Sequence, residues 1–280
     1  MPDAADPNAF RTEQREVTLL FADLRGFTEL AVSLETVPLV GELLAHVLDC
    51  LSEAVAGHNG FIVDYYGDGL MAMWNAPSNQ PDHAQLACRA ALQMLASLPA
   101  VTDEWRSVIQ TELRLGIGVH TGPVQVGNAG STRKVKYGPR GSNVNLTSRV
   151  EAATKELRVP FVATQSTVER LSEEFATNRV CCAQMPGLQQ PVDLYAVRKA
   201  MNDEQSTRAW KTYAESLRQF EQGNFEAAAE TLATMDETIT DLPRRFLTER
   251  VQSELGRTLR RRNSDKPIAL PDGVIPLIAK

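Results

Sequence analysis

The stretch DYYGDGLMAMW, residues 64–74, sets Asp68 between Gly67 and Gly69 inside a run of bulky apolar residues. Strand-forming runs on both sides of a Gly-Asp-Gly centre predict a tight β-hairpin, because glycine and aspartate tolerate the backbone angles of a two-residue turn. Taken alone, Asp68 is then a turn residue. The reading changes with what surrounds it. EVTLLFADL (16–24) is a short, almost wholly apolar run, as expected of a strand covered on both faces, and it ends on Asp23 just before a glycine.

Further along, apolar spacing predicts a helix over 29–57, with Leu39, Leu43, Leu44, Val47, Leu48 and Leu51 on one side and Pro38 in its first turn. The Asp68 hairpin follows at 61–77 and an amphipathic helix at 81–98. ELRLGIGVHTGPVQVGN (112–128) reads as a second hairpin around Thr121-Gly122-Pro123, and 130–142 as a basic, glycine-rich connection. A helix over 143–157, a strand at 159–164, a helix at 165–175 and a last strand pair ending near 199 complete the unit. This order predicts an α+β fold: a ferredoxin-like βαββαβ sandwich, mostly antiparallel, with helices on one side.

The domain expectations are a flexible lead-in at 1–15, a catalytic unit at 16–199, a helical appendage at 205–257 and a solvated tail at 258–280. Within 210–235, two helices around Gly223-Asn224 resemble a tetratricopeptide pair. One such pair does not bury its own face, so it should pack on the main unit or on a partner.

Composition narrows the function. The chain has 280 residues and a net charge of −6, which argues against a general nucleic-acid binder. It contains no apolar stretch long enough for a bilayer span, so no direct membrane insertion is expected. Its four cysteines, Cys50, Cys88, Cys181 and Cys182, lack metal-ligand spacing and fit a reducing cytoplasm. The start close ahead of the first motif leaves an upstream sensor domain as an expectation.

In a ferredoxin-like order Asp23 and Asp68 end on neighbouring central strands. Two carboxylates at that separation repel unless a cation lies between them, and hard oxygen ligands suit Mg²⁺ or Mn²⁺ carrying phosphates. Backbone N–H groups of Arg25, Gly26, Phe27 and Thr28, at a helix start, could hold those phosphates. Asn145 and Arg149, one helical turn apart, combine an amide and a guanidinium suited to a sugar oxygen and a phosphoryl group; an ordinary polar helix face is the alternative.

Together TLLFADLRGFT (18–28), DYYGDGLMAMW, IGVHTGPVQVGN (117–128) and GSNVNLTSRVEAAT (141–154) resemble the class III adenylyl/guanylyl cyclase catalytic domain, over about 16–199. The resemblance implies a phosphorus–oxygen lyase in signal transduction. It implies two metal ions, Mg²⁺ or Mn²⁺, on Asp23, Asp68 and the backbone carbonyl of Leu24. Asn145 is implied to orient the ribose and Arg149 to stabilise charge on the α-phosphate. It also implies a homodimer, with the aspartates and the Asn/Arg pair of one site drawn from different subunits and a monomer inactive.

The resemblance further assigns Asp64 and Gly138 to the two purine-reading positions, where adenylyl cyclases typically place lysine, and then Asp, Thr or Cys. Asp64 is read either as a purine contact or as a half-exposed strand residue, and Arg140 is a possible donor nearby. QMPGLQQPVD (184–193) lacks the triphosphate lysine of many members, leaving Arg133, Lys134 or Lys136 as substitutes. ATP is the expected substrate, with cyclic AMP and pyrophosphate as products. GTP and a catalytically weak or inactive nucleotide-binding module are the alternatives.

Overall fold

The computed structural model describes residues 12–34, 37–131, 134–201, 203–235, 243–261 and 273–277. The chain runs β1 (Thr12–Leu24), α1 (Phe27–Ser33), α2 (Val37–Gly57), β2 (Phe61–Tyr66), β3 (Gly69–Trp74), α3 (His83–Glu104), β4 (Leu115–Ser131), β5 (Lys134–Arg140), α4 (Ser142–Leu157), β6 (Phe161–Thr164), α5 (Gln165–Val168), β7 (Phe175–Gln184), β8 (Val192–Lys199), α6 (Glu204–Glu221), α7 (Phe225–Ala233), α8 (Arg244–Arg261) and β9 (Val274–Pro276). One sheet carries the order β2-β3-β1-β4-β6-β8-β7-β9, with β5 paired to β4. The α+β expectation holds, and β1 lies at the centre between β3 and β4.

Alternation along the strands sorts side chains to two faces. Leu20, Ala22, Leu24, Leu70, Ala72, Ile117, Val119, Phe161 and Ala163 face α2 and α3. The opposite face is covered as well: Val150, Ala153 and Leu157 of α4 pack in one core with Val162, Leu194 and Ala196. Helices on one side only is therefore corrected. Gly118 of β4 shows why α4 settles so close, since a Cβ there would lie 2.2 Å from the backbone nitrogen of Glu151.

The helix expected over 29–57 divides into α1 and α2, with Leu34 extended at the end of α1 and Pro38 in the first turn of α2. Three further expectations change. β1 begins at Thr12, so residues 12–15 are strand, paired to β4, rather than lead-in; residues 1–11 lie outside the described residues. No turn forms at Thr121-Gly122-Pro123: β4 is continuous from Leu115 to Ser131 and pairs with β1 along Thr12–Leu24. Pro123 is tolerated because β6 pairs with β4 at Ile117–Val119 and β5 pairs at Gln125–Ser131, leaving a gap on that side. The hairpin comes later, and the stretch read as a basic connection supplies β5. The helix expected over 165–175 is the four-residue α5, after which Phe175 opens β7.

The appendage helices bury their apolar faces on the main unit. Trp210, Tyr213, Leu217, Phe246 and Leu247 share the core of α4, β6, β7 and β8. Tyr213 donates to the carbonyl of Val180 at 2.9 Å, and Arg179 pairs with Glu221 at 2.7 Å. The tail expectation is corrected at both ends: Thr258–Arg261 belong to α8, and β9 pairs in parallel with β7.

Candidate active site

The hairpin joining β2 and β3 forms with Gly67 and Asp68 as its two turn residues, Tyr66 paired to Gly69. Gly67 takes the positive φ of 61°, so the turn spends its left-handed residue on glycine and leaves Asp68 ordinary angles. Across the sheet Asp23 of β1 is opposite Gly69 on one side and Gly116 on the other. Both glycines are sterically required. A Cβ on Gly69 would lie 2.8 Å from Asp23 Oδ1, and one on Gly116 would lie 1.7 Å from Arg25 Nη2.

Asp23 therefore projects into a cleft of about 420 Å³ lined by Phe21, Asp23, Tyr66, Gly69, Leu70, Val144, Asn145, Ser148 and Glu151. Asp68 stands beside it, one residue before Gly69. Burial first, then the Asp68 charge, pushes the Asp23 carboxyl above its ordinary range, against a smaller pull from Arg25. Asp68 is raised by burial too, offset by a hydrogen bond to its own backbone N–H and by Arg25.

Arg25 reaches α4. Its guanidinium donates to Glu151 Oε1 at 2.6 Å, to the Glu151 carbonyl at 3.1 Å and to Thr154 Oγ1. Glu151, 12 % exposed, is nevertheless pushed up to about 7, because burial and the charges of Asp23 and Asp68 outweigh Arg25. The Arg25 backbone N–H is also taken, by the Arg114 carbonyl at 2.8 Å, so of the four predicted phosphate-facing amides this one is occupied. Gly26 (φ 71°) caps α1, Phe27 packs on the α2–α3 core, Thr28 is exposed and the Leu24 side chain is buried.

The helix pair divides. Asn145 is exposed and lines the cleft with Asp23, whereas Arg149 is absent from the lining and lies against Gly187 in the β7–β8 turn, where a Cβ would meet Nη2 at 3.1 Å. Residues on α4 at a stride of three (Asn145, Ser148, Glu151) face the cleft. That stride identifies Ser148 and Glu151, which the four-residue spacing of Asn145 and Arg149 passes over.

At the proposed purine positions, Asp64 pairs with Lys136 of β5, and Gly138 comes close enough to Val63 that a Cβ would lie 3.1 Å from Cγ1. This engages Lys136, one of the three basic residues offered for the triphosphate, with Asp64. Arg133 lies outside the described residues. Among the described residues no helix is long and apolar enough to cross a membrane, and the described residues hold no ready-made cluster of three or more metal-ligating side chains.

Residues 11–199 match the family model described as the adenylate and guanylate cyclase catalytic domain. Adenylate cyclase 1 of Rhizobium meliloti is 32% identical over 184 residues, covering 66% of this chain and 28% of that protein. The adenylate cyclase of Anabaena cylindrica is 31% identical, covering 66% and 37%. The chain thus spans well under half the length of these curated relatives. Among solved structures, the adenylyl cyclase CyaB from P. aeruginosa is 27% identical with a TM-score of 0.64, over 69% of this chain and 98% of that one. The guanylyl cyclase Cya2 is 29% identical with a TM-score of 0.58, over 69% and 96%. A family match over the whole sheet-bearing unit, joined to carboxylates held at a cleft by glycine-flanked strands, leads to one conclusion: the chain belongs to the adenylate and guanylate cyclase catalytic domain family, the class III nucleotide cyclases.

Proposed function

We propose that this domain converts ATP to 3′,5′-cyclic AMP and pyrophosphate. The ribose 3′-oxygen forms a bond to the α-phosphorus, the bond from that phosphorus to the bridging oxygen of pyrophosphate breaks, and the 3′-hydroxyl proton passes to water. The observation that carries the reading is the juxtaposition of Asp23 and Asp68 at one end of the central strands, each with its carboxyl raised. Repelling carboxylates are a donor set that fits a hard divalent cation. Asp23, Asp68 and the backbone carbonyl of Leu24 would hold two Mg²⁺ or Mn²⁺ ions. When bound, such ions lower the pKa of the 3′-hydroxyl and neutralise triphosphate charge.

The chain's own residues do the rest. Asn145 orients the ribose, Arg149 donates to the α-phosphate as charge develops, and amides of Gly26, Phe27 and Thr28 hold phosphate oxygens. Arg149 faces the β7–β8 turn rather than the Asp23 cleft of its own chain. That orientation supports a site completed by a second copy, hence a homodimer. The exposed Tyr65 and Tyr66 beside the cleft are apolar surface such a copy could cover.

The test is turnover by purified protein with Mn²⁺ and either ATP or GTP, reading both cyclic nucleotides, with Asp23→Asn as control. Cyclic AMP from the parent protein and none from the variant is the expected result. Cyclic GMP alone would establish the guanylyl reading, which the Asp64 carboxylate favours. No product from either leaves a nucleotide-binding module and sinks the cyclase proposal.

A further inference from the structure

Gly187 in the β7–β8 turn supports the Arg149 guanidinium, which lies broadside to it: a Cβ on Gly187 would meet Nη2, Cζ and Nη1 at 3.1, 3.7 and 3.8 Å. Among the described residues Arg149 has no hydrogen bond or ion pair. Where its charge points therefore depends on where the turn backbone stands.

That turn is held from the far end of the chain. The Gln184 side chain bridges it, its Nε2 donating to the Leu188 carbonyl at 2.6 Å. β9 then fastens the same residue. The Leu277 N–H donates to the Gln184 carbonyl at 3.1 Å, and Val274, Ile275 and Pro276 run parallel beside Cys182, Ala183 and Gln184. Ile275 and Leu277 are buried, in one core with Met185 and Leu188 of the turn and Leu146 of α4. The chain enters β9 at Gly273, with φ 69°, where a Cβ would lie 2.7 Å from Cβ and Cγ of Glu221. A ladder this short, with a proline that lacks an N–H, opens more readily than the central strands.

We propose that Leu277 is a positioning residue: docked with β9, it holds the β7–β8 turn, and through Gly187 the Arg149 guanidinium, in the direction from which that group serves the α-phosphate. The inference rests on the cyclase reading and on the role of Arg149 within it, and it gives the C-terminal segment a part in turnover. Leu277 touches no substrate. It acts by limiting the directions open to a donor that matters in the transition state, so its loss falls on kcat rather than on KM.

The experiment uses the full chain with Leu277→Asp, whose buried carboxylate expels the segment, and Leu277→Met, which keeps volume and apolarity. Each is assayed with ATP in the parent and in an Arg149→Ala background, well below its melting temperature. Leu277→Asp is expected to lower kcat by about 10-fold, part of the ~100-fold that a misplaced group can cost, with KM changed by less than about 2-fold. Leu277→Met should keep the parent kcat. Hydrogen exchange over residues 184–191 should quicken in Leu277→Asp. With Arg149 already removed, Leu277→Asp should change kcat by less than about 2-fold, because the two act as one unit. Gly273→Val, which drives a side chain into Glu221, reaches the same state by a second route and is read by the same criteria where Leu277→Asp does not melt cooperatively. Unchanged kcat or unchanged exchange in a folded variant, or an equal loss in the Arg149→Ala background, overturns the assignment and leaves the cyclase standing. Absence of any turnover by the parent with ATP and GTP overturns the cyclase reading and this inference with it.

Discussion

The Arg25 guanidinium donates to Glu151 across 2.6 Å and so fastens the strand end that carries Asp23 to the helix that carries Asn145. Removing the cation leaves Glu151 partly buried among two other carboxylates. Arg25→Ala is therefore expected to cost about 2 kcal/mol of stability, below the range for a fully buried pair because both side chains keep some solvent. A double-mutant cycle with Glu151→Gln, followed by denaturant unfolding, measures the coupling. Additive effects would show that the two groups do not interact.

The Asp23–Asp68 repulsion gives a metal-dependent prediction. Without divalent cations, Asp68→Asn relieves the repulsion and should leave stability equal or slightly higher, by up to about 1 kcal/mol. With saturating Mn²⁺ the parent melts higher, because the ion binds the folded form, and the variant does not follow. Calorimetry with Mn²⁺ and with chelator reads both effects. A variant that still gains stability from Mn²⁺ would remove Asp68 from the ligand set.

Glycine at position 118 admits α4 against β4. Gly118→Ala drives a methyl into the Glu151 backbone, where no rotamer offers escape. The expected cost is about 1–3 kcal/mol, with turnover reduced because α4 moves away from the cleft. Unfolding and kcat of the variant check this together. Unchanged values would mean that α4 is held less tightly than the packing implies.

His120 gives stability a pH dependence. It is buried, accepts or shares a proton with Thr164 Oγ1 at 2.8 Å, and burial pushes its pKa down to about 4. The unfolded chain binds this proton near 6.5, so folding is favoured above that pH and the contribution is lost as pH falls toward 4. The loss amounts to roughly 3 kcal/mol. Melting temperatures of the parent and His120→Gln between these limits should show a shallower acid decline in the variant.

The appendage is part of the main core rather than a detachable module. Phe246 and Leu247 of α8 are buried with Val150 and Leu157 of α4. Phe246→Ala is expected to cost about 3–5 kcal/mol. Truncation after Lys199 strips Trp210, Tyr213, Phe246 and Leu247 from the core they share with Val180 and Ala183 of β7 and should give aggregated material in size-exclusion chromatography. A soluble, cooperative truncated protein would contradict this packing.

Much of the fold was legible because its signals are local. The Gly67-Asp68 turn, the apolar strand before Asp23 and the Pro38 helix start depend on neighbours in sequence. Where the reading failed, tertiary contacts had redirected a local signal. Thr121-Gly122-Pro123 looks like a turn, yet Gly122 is small because His120 and Asn143 crowd it, and Pro123 falls in a gap between two ladders. The site followed the same division. Asp23 and Asp68 stand together at one end of the central strands, and Asn145 of the same chain lines the cleft although the resemblance implied it from a second subunit, while Glu151 and Lys136 acquire their partners 126 and 72 residues away in the chain.

β9, three residues long, ends one side of the sheet, and β2, interrupted by its bulge, ends the other. A rim so short at one end and so kinked at the other offers a poor template for a foreign strand. These two rims of the sheet are thereby guarded against runaway polymerisation.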